Sequence, residues 1–168
     1  MKISEYEKKL DGSLKQATLC FLLRKNQVLL AMKKRGFGEG LWNGVGGKQK
    51  DGEDLLETAK REAEEEIGVI PDKIKKMAVI DFFFPHNTDW SQQVVVYTCS
   101  VWAGKPKESE EMRPRWFKKD KLPFKKMWWD DSYWLPKVLE GKEIKASFLF
   151  NEKEEILDYF VEEVKRSA

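Results

Sequence analysis

The sequence predicts a mixed α/β fold in which a mixed β-sheet is sandwiched between α-helices. Short apolar runs alternate with turn residues, and two segments with a helical pattern lie among them. No repeat, low-complexity tract or interdomain linker interrupts the 168 residues, and a chain of this length buries about 70% of its unfolded surface as one domain. We therefore expect a single domain over residues 14–168, preceded by a polar, weakly ordered extension over residues 1–13.

The predicted strands are apolar runs bounded by turn residues. They comprise residues 14–23, 27–32, 75–84, 92–102, 144–150 and 156–164. The first two form a hairpin around Arg24-Lys25-Asn26, and the last run also fits a helix. Residues 85–91 are predicted as a loop. Residues 108–114 are predicted as a polar segment that precedes a short apolar run at 115–117.

Glycines and aspartates mark the remaining elements. Residues 35–47 contain six glycines, which predicts a loop with close backbone approaches. A helix is predicted from about Glu53 to Ile67 and ends at Gly68, because glycine is favoured just after a helix. A second helix is predicted over residues 130–139, begun by an aspartate pair and ended by Gly141.

The composition restricts the chemistry. An apolar content of 41% and a formal net charge of +2 favour a globular protein without stable nucleic-acid binding. Cys20 and Cys99 lie in apolar runs and are expected to be core thiols of a reducing compartment. His86 is the only histidine, which nearly excludes histidine-based zinc sites and Ser-His-Asp catalysis. No apolar run has the ~18 residues of a membrane helix, so we expect a soluble, cytoplasmic protein.

The predicted acidic helix carries the most informative pattern. Glu62, Glu65 and Glu66 lie at i, i+3 and i+4 and therefore share one helical face. Residues 53–66 hold seven acidic residues against two basic ones, a net charge of −5. A solvated surface is the usual explanation of a glutamate-rich helix. A divalent cation is the alternative, because hard cations such as Mg²⁺ prefer carboxylate and carbonyl oxygens.

The spacing of this stretch resembles the signature of the Nudix hydrolases, which cleave a nucleoside diphosphate linked to another group. The matching string is Gly47-x5-Glu53-x7-Arg61-Glu62-Ala63-x-Glu65-Glu66-x-Gly68-Val69. Ala63 departs from it, since the family generally has a larger aliphatic residue there. The resemblance implies a sheet between helices, a structural Arg61–Glu53 pair, and Mg²⁺, with Mn²⁺ as a substitute. It implies these metal ligands: the carbonyl of Gly47, Glu62, Glu65 and Glu66. The resemblance of residues 109–117 to one group within this family implies Glu111 as an additional acid near the metals.

A second informative segment, residues 123–134, places aromatic residues beside two adjacent carboxylates. Trp128 can stack on a nucleobase, and Asp130 and Asp131 can read its hydrogen-bonding edge. Two neighbouring acids repel each other, which raises the pKa of at least one and supplies a donor as well as an acceptor. Alternatively, the aromatic residues are core and Asp130 is a helix cap.

Residues 32–44, 109–117 and 123–134 are similar to the animal-type oxidised purine nucleoside triphosphatases, which hydrolyse 8-oxo-dGTP and 2-hydroxy-dATP. The similarity extends from about Thr18 to Val164. It implies that base recognition falls to Asn43, Trp128, Asp130 and Asp131. The same pocket or its phosphate end is implied to contain Thr18, Lys33, Phe37 and Phe82. Gln92 and Trp129 depart from the pattern, since the family has methionine and proline there, and the segment before Leu14 is longer.

The expected reaction is Mg²⁺-dependent hydrolysis of an oxidised purine nucleoside triphosphate to the monophosphate and pyrophosphate, by a monomer. Glu65 or Glu111 is expected to take the proton of the attacking water. Another Nudix substrate is the first alternative: O6-methyl-dGTP, ADP-ribose, a dinucleoside polyphosphate or capped RNA. A non-catalytic nucleotide-binding module is the second, although such proteins often lose acids that are intact here.

Overall fold

The computed structural model describes residues 1–165. Within them, three α-helices and two short 3₁₀ turns accompany eight β-strands. The helices are α1 (Ile3–Glu7), α2 (Leu55–Ile67) and α3 (Asp131–Leu139), and the 3₁₀ turns are Thr88–Trp90 and Phe124–Lys126. The strands are β1 (Lys15–Arg24), β2 (Gln27–Lys33), β3 (Trp42–Asn43), β4 (Ile70–Phe83), β5 (Gln92–Ala103), β6 (Met112–Lys118), β7 (Ile144–Phe150) and β8 (Ile156–Glu163).

The strands form a mixed sheet in the order β3-β2-β1-β5-β4-β7-β8, and β6 pairs with β2. The β1–β5 and β4–β7 pairs are parallel, and the other pairs are antiparallel. The predicted hairpin is present, although β1 pairs with β2 only close to the turn, at Leu23–Val28 and Arg24–Gln27. Beyond the turn the two strands separate, and β1 pairs with β5 instead.

Helices cover both faces of the sheet. Ala59, Ala63 and Ile67 of α2 pack with apolar side chains of β1, β2 and β5 in one cluster. Trp134 and Leu135 of α3 belong to the larger cluster on the opposite face. The predicted mixed sheet between helices is therefore confirmed.

The first residues differ from the expected weakly ordered extension. Residues Ile3–Glu7 form a short helix, and Ile3 and Tyr6 are buried against Phe83 and Leu149. Two apolar side chains at i and i+3 give this polar segment one apolar face, which is enough to cover the end of the sheet. The prediction of weak order is wrong for α1. The single domain over 14–168 stays a prediction, and its last three residues lie outside the described residues.

Pairing with distant strands defines two further segments as strands, of which the first was not predicted. Strand β6 begins at Met112, inside the segment predicted as polar, because it pairs with β2 from Lys33 to Gln27. The last apolar run, which also fits a helix, is strand β8 on β7. None of the helices within residues 1–165 is long and apolar enough to cross a membrane.

Candidate active site

The acidic helix α2 is fixed at both ends by its own sequence. Asp54 is the N-cap and accepts a hydrogen bond from the backbone N–H of Glu57 at 2.8 Å. The carboxylate of Glu57 in turn accepts the backbone N–H of Asp54 at 3.2 Å, which completes a capping box. Gly68 ends the helix with φ +72°, a left-handed conformation that favours glycine. These ends hold Glu62, Glu65 and Glu66 at the predicted spacing.

Arg61 ties the preceding loop to this helix, as predicted. Its guanidinium donates to Glu53 at 2.8 and 3.0 Å and to the backbone carbonyl of Lys48 at 3.2 Å. The hydrogen bonds from Arg61 are the main reason that the pKa of Glu53 is lowered to about 2. The pair therefore stays ionised at neutral pH and fixes the loop that leads into α2.

The three glutamates of α2 have different surroundings. Glu66 is 5% exposed, and its Oε2 is buried without a hydrogen-bond partner among the described residues. The pKa of Glu66 is raised to about 9, mainly by burial and to a smaller extent by the nearby Glu62 and Glu111. Glu62 packs against Gly47, where an added Cβ would lie 2.4 Å from its Oε1. The side chain of Glu65 is 53% exposed and accepts a hydrogen bond from Arg61 at 3.2 Å.

The donor chemistry of this cluster fits a hard divalent cation, although the side chains do not surround a common point. Among residues 1–165, no group of three or more His, Cys, Asp or Glu side chains is arranged to hold a metal ion. Arg61 Nη1 instead bridges Glu62 and Glu65 at 2.9 and 3.2 Å. The unpartnered Oε2 of Glu66 leaves a buried oxygen available, and a cation would relieve the repulsion among these carboxylates.

The glycine-rich loop lies directly against β1. An added Cβ on Gly46 would lie 1.8 Å from the carbonyl oxygen of Thr18, so no larger residue fits without a backbone shift. The carbonyl of Gly47 accepts the backbone N–H of Thr18 at 2.9 Å. A carbonyl oxygen has two lone pairs, so one remains for the predicted role as a metal ligand.

Glu111 reaches the acidic cluster from the segment before β6. Its charge contributes to the raised pKa of Glu66. Its side chain is 56% exposed and lies 3.4 Å from Nη2 of Arg35. The structure therefore places all four predicted acids at one side of the molecule, but with Glu65 and Glu111 facing arginines.

A cavity of about 450 Å³ lies beside this acidic cluster. Its wall contains every predicted substrate-binding residue and the predicted carbonyl ligand: Thr18, Lys33, Phe37, Asn43, Gly47, Phe82, Trp128, Asp130 and Asp131. Residues from β1, β2, β3, β4 and the start of α3 thus meet at one site. A volume of this size accommodates a drug-sized or nucleoside-sized molecule.

Asp130 and Asp131 lie deep in this cavity. They are 3% and 2% exposed, and Asp130 Oδ2 accepts the indole N–H of Trp134 at 2.8 Å. Burial raises the pKa of Asp130 to about 6. Burial and then the charge of Asp130 raise the pKa of Asp131 well above its usual value. Asp131 Oδ2 has no partner among the described residues, so it is free to bind a ligand.

Other polar groups line the same space. The buried hydroxyl of Thr18 has no hydrogen-bond partner within residues 1–165. The side-chain oxygen of Asn43 accepts the backbone N–H of Gly44 at 2.8 Å, which leaves its amide NH₂ for a ligand. Lys33, at the end of β2, supplies an ammonium group to the cavity wall.

Aromatic rings form the rest of the wall. The ring centroid of Phe37 lies 5.0 Å from Trp128, and Phe82 stacks 5.9 Å from Phe148. Sequence reasoning missed several further lining residues: Phe84, Asp89, Trp90, Trp134 and Phe150. One of them, Phe84, could have been predicted from strand alternation, because side chains at i and i+2 share a face. Phe84 lies two residues after Phe82 and therefore faces the same cavity.

Comparison with known proteins places this site in a family. The NUDIX domain matches residues 13–138 of the chain, which include the acidic helix, the glycine-rich loop and the aspartate pair. The chain belongs to the Nudix family. Nudix hydrolases generally use a divalent metal and act on small nucleotide substrates, in agreement with the carboxylate cluster beside the cavity.

Two similar Nudix proteins carry the same name. The oxidized purine nucleoside triphosphate hydrolase of Mus musculus is 44% identical over 147 residues, 88% of this chain and 94% of that protein. The oxidized purine nucleoside triphosphate hydrolase of Danio rerio is 41% identical over 151 residues, 90% of this chain and 96% of that protein. A solved structure of a mutator MutT protein from Bacillus halodurans is 27% identical, with a TM-score of 0.77 over 89% of this chain and 98% of that one.

Proposed function

We propose that this Nudix enzyme hydrolyses oxidised purine nucleoside triphosphates, such as 8-oxo-dGTP and 2-hydroxy-dATP, to the monophosphate and pyrophosphate. The buried Asp130–Asp131 pair carries the proposal, because it places titratable hydrogen-bonding groups inside a nucleoside-sized cavity. The names of the mouse and zebrafish relatives support the same substrate class. Such an activity removes damaged nucleotides from the precursor pool.

The aspartate pair explains how one cavity reads two different oxidised purines. With a pKa of about 6, Asp130 is mostly ionised at neutral pH, whereas burial and the charge of Asp130 raise the pKa of Asp131 and favour retention of its proton. A pair that holds one proton offers an O–H donor and several acceptor oxygens, and the proton can reside on either residue. The amide of Asn43 adds a donor, and Trp128 offers a stacking surface that any base can use.

The phosphate chain is proposed to extend from this cavity towards α2. Lys33 and the acidic cluster flank that path, with Gly47, Glu62, Glu65, Glu66 and Glu111 as the proposed ligands of Mg²⁺ or Mn²⁺. The bound cation would supply neutralisation of phosphate charge and orientation of water. Arg61 would then retain its partner Glu53, which fixes the loop on the cavity side of α2.

A carboxylate at this end is proposed to accept the proton of the attacking water. Burial favours the protonated form of Glu66 in the chain itself, which makes its carboxyl a poor base before charge is neutralised. Glu65 and Glu111 have half-exposed side chains, which solvent water can reach. One of these two is therefore the proposed general base.

The function is tested with a substrate panel in which pyrophosphate release is measured for 8-oxo-dGTP, 2-hydroxy-dATP, O6-methyl-dGTP and dGTP. We expect the highest kcat/KM for an oxidised purine. Asp131→Asn and Asn43→Ala are expected to raise KM for 8-oxo-dGTP more than for dGTP, since the net contribution of one hydrogen bond corresponds to roughly tenfold in affinity. Preference for O6-methyl-dGTP would instead identify a methylated purine as the substrate. Faster hydrolysis of ADP-ribose, a dinucleoside polyphosphate or capped RNA, followed by chromatography of the products, would identify another Nudix substrate.

We propose a cytoplasmic monomer that binds its small-molecule triphosphate without stable binding of nucleic acid or membrane. The near-balanced charge of +2 supports the lack of a polyanion-binding surface. Size-exclusion chromatography with light scattering tests the monomer, for which a mass near 19.7 kDa is expected.

A further inference from the structure

The N-terminal helix α1 contacts the loop that forms one rim of the cavity. The hydroxyl of Tyr6 lies 3.2 Å from Oγ of Ser91, and this contact is buried. The same Oγ accepts the backbone N–H of Phe84 at 2.9 Å. The ring of Tyr6 packs edge-on against Phe83, with centroids 5.4 Å apart. Helix α1 is therefore attached to both ends of the loop between β4 and β5.

Trp90 precedes Ser91 and faces the other way, into the cavity wall. Its ring centroid lies 4.9 Å from Phe37, and Phe37 lies 5.0 Å from Trp128. Trp90 also meets Phe84 edge-on at 5.8 Å. The three rings of Trp90, Phe37 and Trp128 form a row along the rim. Trp90 is 36% exposed and Phe37 is 48% exposed, so this row lies between part of the cavity and solvent.

We propose that Trp90 is a further substrate-binding residue that covers the base, and that Tyr6 of the N-terminal helix is its positioning residue. The proposal rests on the proposed function, in which the cavity holds a purine. Trp90 offers an apolar surface on the cavity rim, where it meets Phe37. Stacking on a ring does not depend on the hydrogen-bonding edge of the base. Trp90 therefore strengthens binding of oxidised and normal purines alike.

The positioning role of Tyr6 follows from its hydroxyl. Within residues 1–165, the Ser91 hydroxyl has two buried partners, the Phe84 backbone and Tyr6, and the second comes from outside the loop. Without this bond, the Ser91 hydroxyl retains only its partner within the loop, and the adjacent Trp90 is held less firmly against Phe37. The population of the binding-competent arrangement then falls, and the apparent affinity falls with it.

The test measures KM and kcat for 8-oxo-dGTP and dGTP in four variants: Trp90→Ala, Trp90→Phe, Tyr6→Phe and the double variant Tyr6→Phe/Trp90→Ala. Trp90→Ala is expected to raise KM about tenfold for both nucleotides, and Trp90→Phe to restore most of the loss. Tyr6→Phe is expected to raise KM about threefold. kcat should stay within about twofold of wild type in all four, because none of these side chains lies at the carboxylate cluster.

The double variant separates positioning from a general loss of structure. If Tyr6 acts through Trp90, its removal has no further effect once Trp90 is gone, so the double variant matches Trp90→Ala. Tyr159→Phe is the matched control, since it removes a hydroxyl from a ring packed on Phe148 at 5.9 Å, outside the cavity wall. It is expected to leave KM unchanged.

Three results would overturn the inference. An unchanged KM in Trp90→Ala removes Trp90 from the site, and multiplicative effects in the double variant remove the link to Tyr6. A selective loss of affinity for 8-oxo-dGTP contradicts stacking.

Failure of the proposed function looks different, because the wild type itself then shows no preference for oxidised purines. If it hydrolyses no purine triphosphate, calorimetric binding of 8-oxo-dGMP provides the same comparison, and equal affinities across the variants overturn the inference.

Discussion

The indole N–H of Trp134 donates a hydrogen bond of 2.8 Å to Oδ2 of Asp130, one helical turn earlier in the chain. Trp134 is completely buried, and this bond favours the ionised form of Asp130 against the effect of burial. The bond fixes one oxygen of Asp130, whereas Asp131 keeps an unpartnered oxygen for a ligand. The aspartate pair is thus oriented from the core of the fold.

Removal of this donor is expected to weaken substrate binding. Trp134→Phe leaves Asp130 Oδ2 without its donor, so the pKa of Asp130 should rise and its orientation should loosen. We expect KM for 8-oxo-dGTP to rise about tenfold and the free energy of unfolding to fall by about 1–3 kcal/mol. Trp116→Phe is the control, because Trp116 stacks on Trp102 away from the cavity. An unchanged KM in Trp134→Phe would show that the bond does not orient the pair.

The aspartate pair should also affect stability as a function of pH. The pKa of Asp130 is raised by folding, from 3.8 to about 6, so the folded state holds a proton that the unfolded state releases. The stabilisation that this proton gives to the folded state is complete below about pH 4 and is lost as the pH rises through about 6. The raised pKa of Asp131 extends this loss to higher pH.

Urea unfolding from pH 4 to 8 measures this effect. The unfolding free energy of the wild type should fall relative to that of Asp130→Asn/Asp131→Asn as the pH rises, since amides do not titrate. Asp51→Asn, in an exposed turn, is the control and should follow the wild type. Parallel curves for the wild type and the double variant would contradict the raised pKa values.

Glu65 is expected to matter for turnover and not for folding. Its side chain is 53% exposed, and its described hydrogen bond is with Arg61, so Glu65→Gln should leave the melting temperature nearly unchanged. We expect Mg²⁺-dependent turnover to fall by about 100-fold or more, with weaker Mg²⁺ binding in calorimetry. Glu64→Gln, on the same helix but outside the predicted ligand set, is the control. Near-normal turnover of Glu65→Gln would exclude Glu65 from the metal-binding and catalytic roles.

The close approach of Gly46 to β1 should make this position intolerant of any side chain. An added Cβ would lie 1.8 Å from the carbonyl oxygen of Thr18, and a backbone atom cannot move aside as a flexible side chain can. Gly46→Ala should therefore destabilise the protein by about 3 kcal/mol or more, as measured by urea unfolding. Gly52→Ala is the comparison. A Cβ added to Gly52 would meet nothing within 4 Å, but the residue has φ +82°. This substitution should therefore lower the free energy of unfolding by about 1 kcal/mol.

Elements with local signals are predictable from the amino-acid sequence. Asp54, Glu57 and Gly68 define α2 through contacts within the helix or next to it, and the spacing of Glu62, Glu65 and Glu66 follows from the helical repeat. The family resemblance then supplied the cavity residues, and the structure brings all of the predicted ones to one wall. Their roles remain predictions.

Features that depend on distant contacts appear only in the folded protein. Tyr6 and Ser91 are 85 positions apart, and α1 looked like a polar extension because its partners Phe83 and Leu149 lie far along the chain. Burial likewise makes the environment of Glu66 different from that of Glu65, although both lie on the same acidic face. Whether a side chain loses its water depends on what packs over it, and no local pattern contains that information.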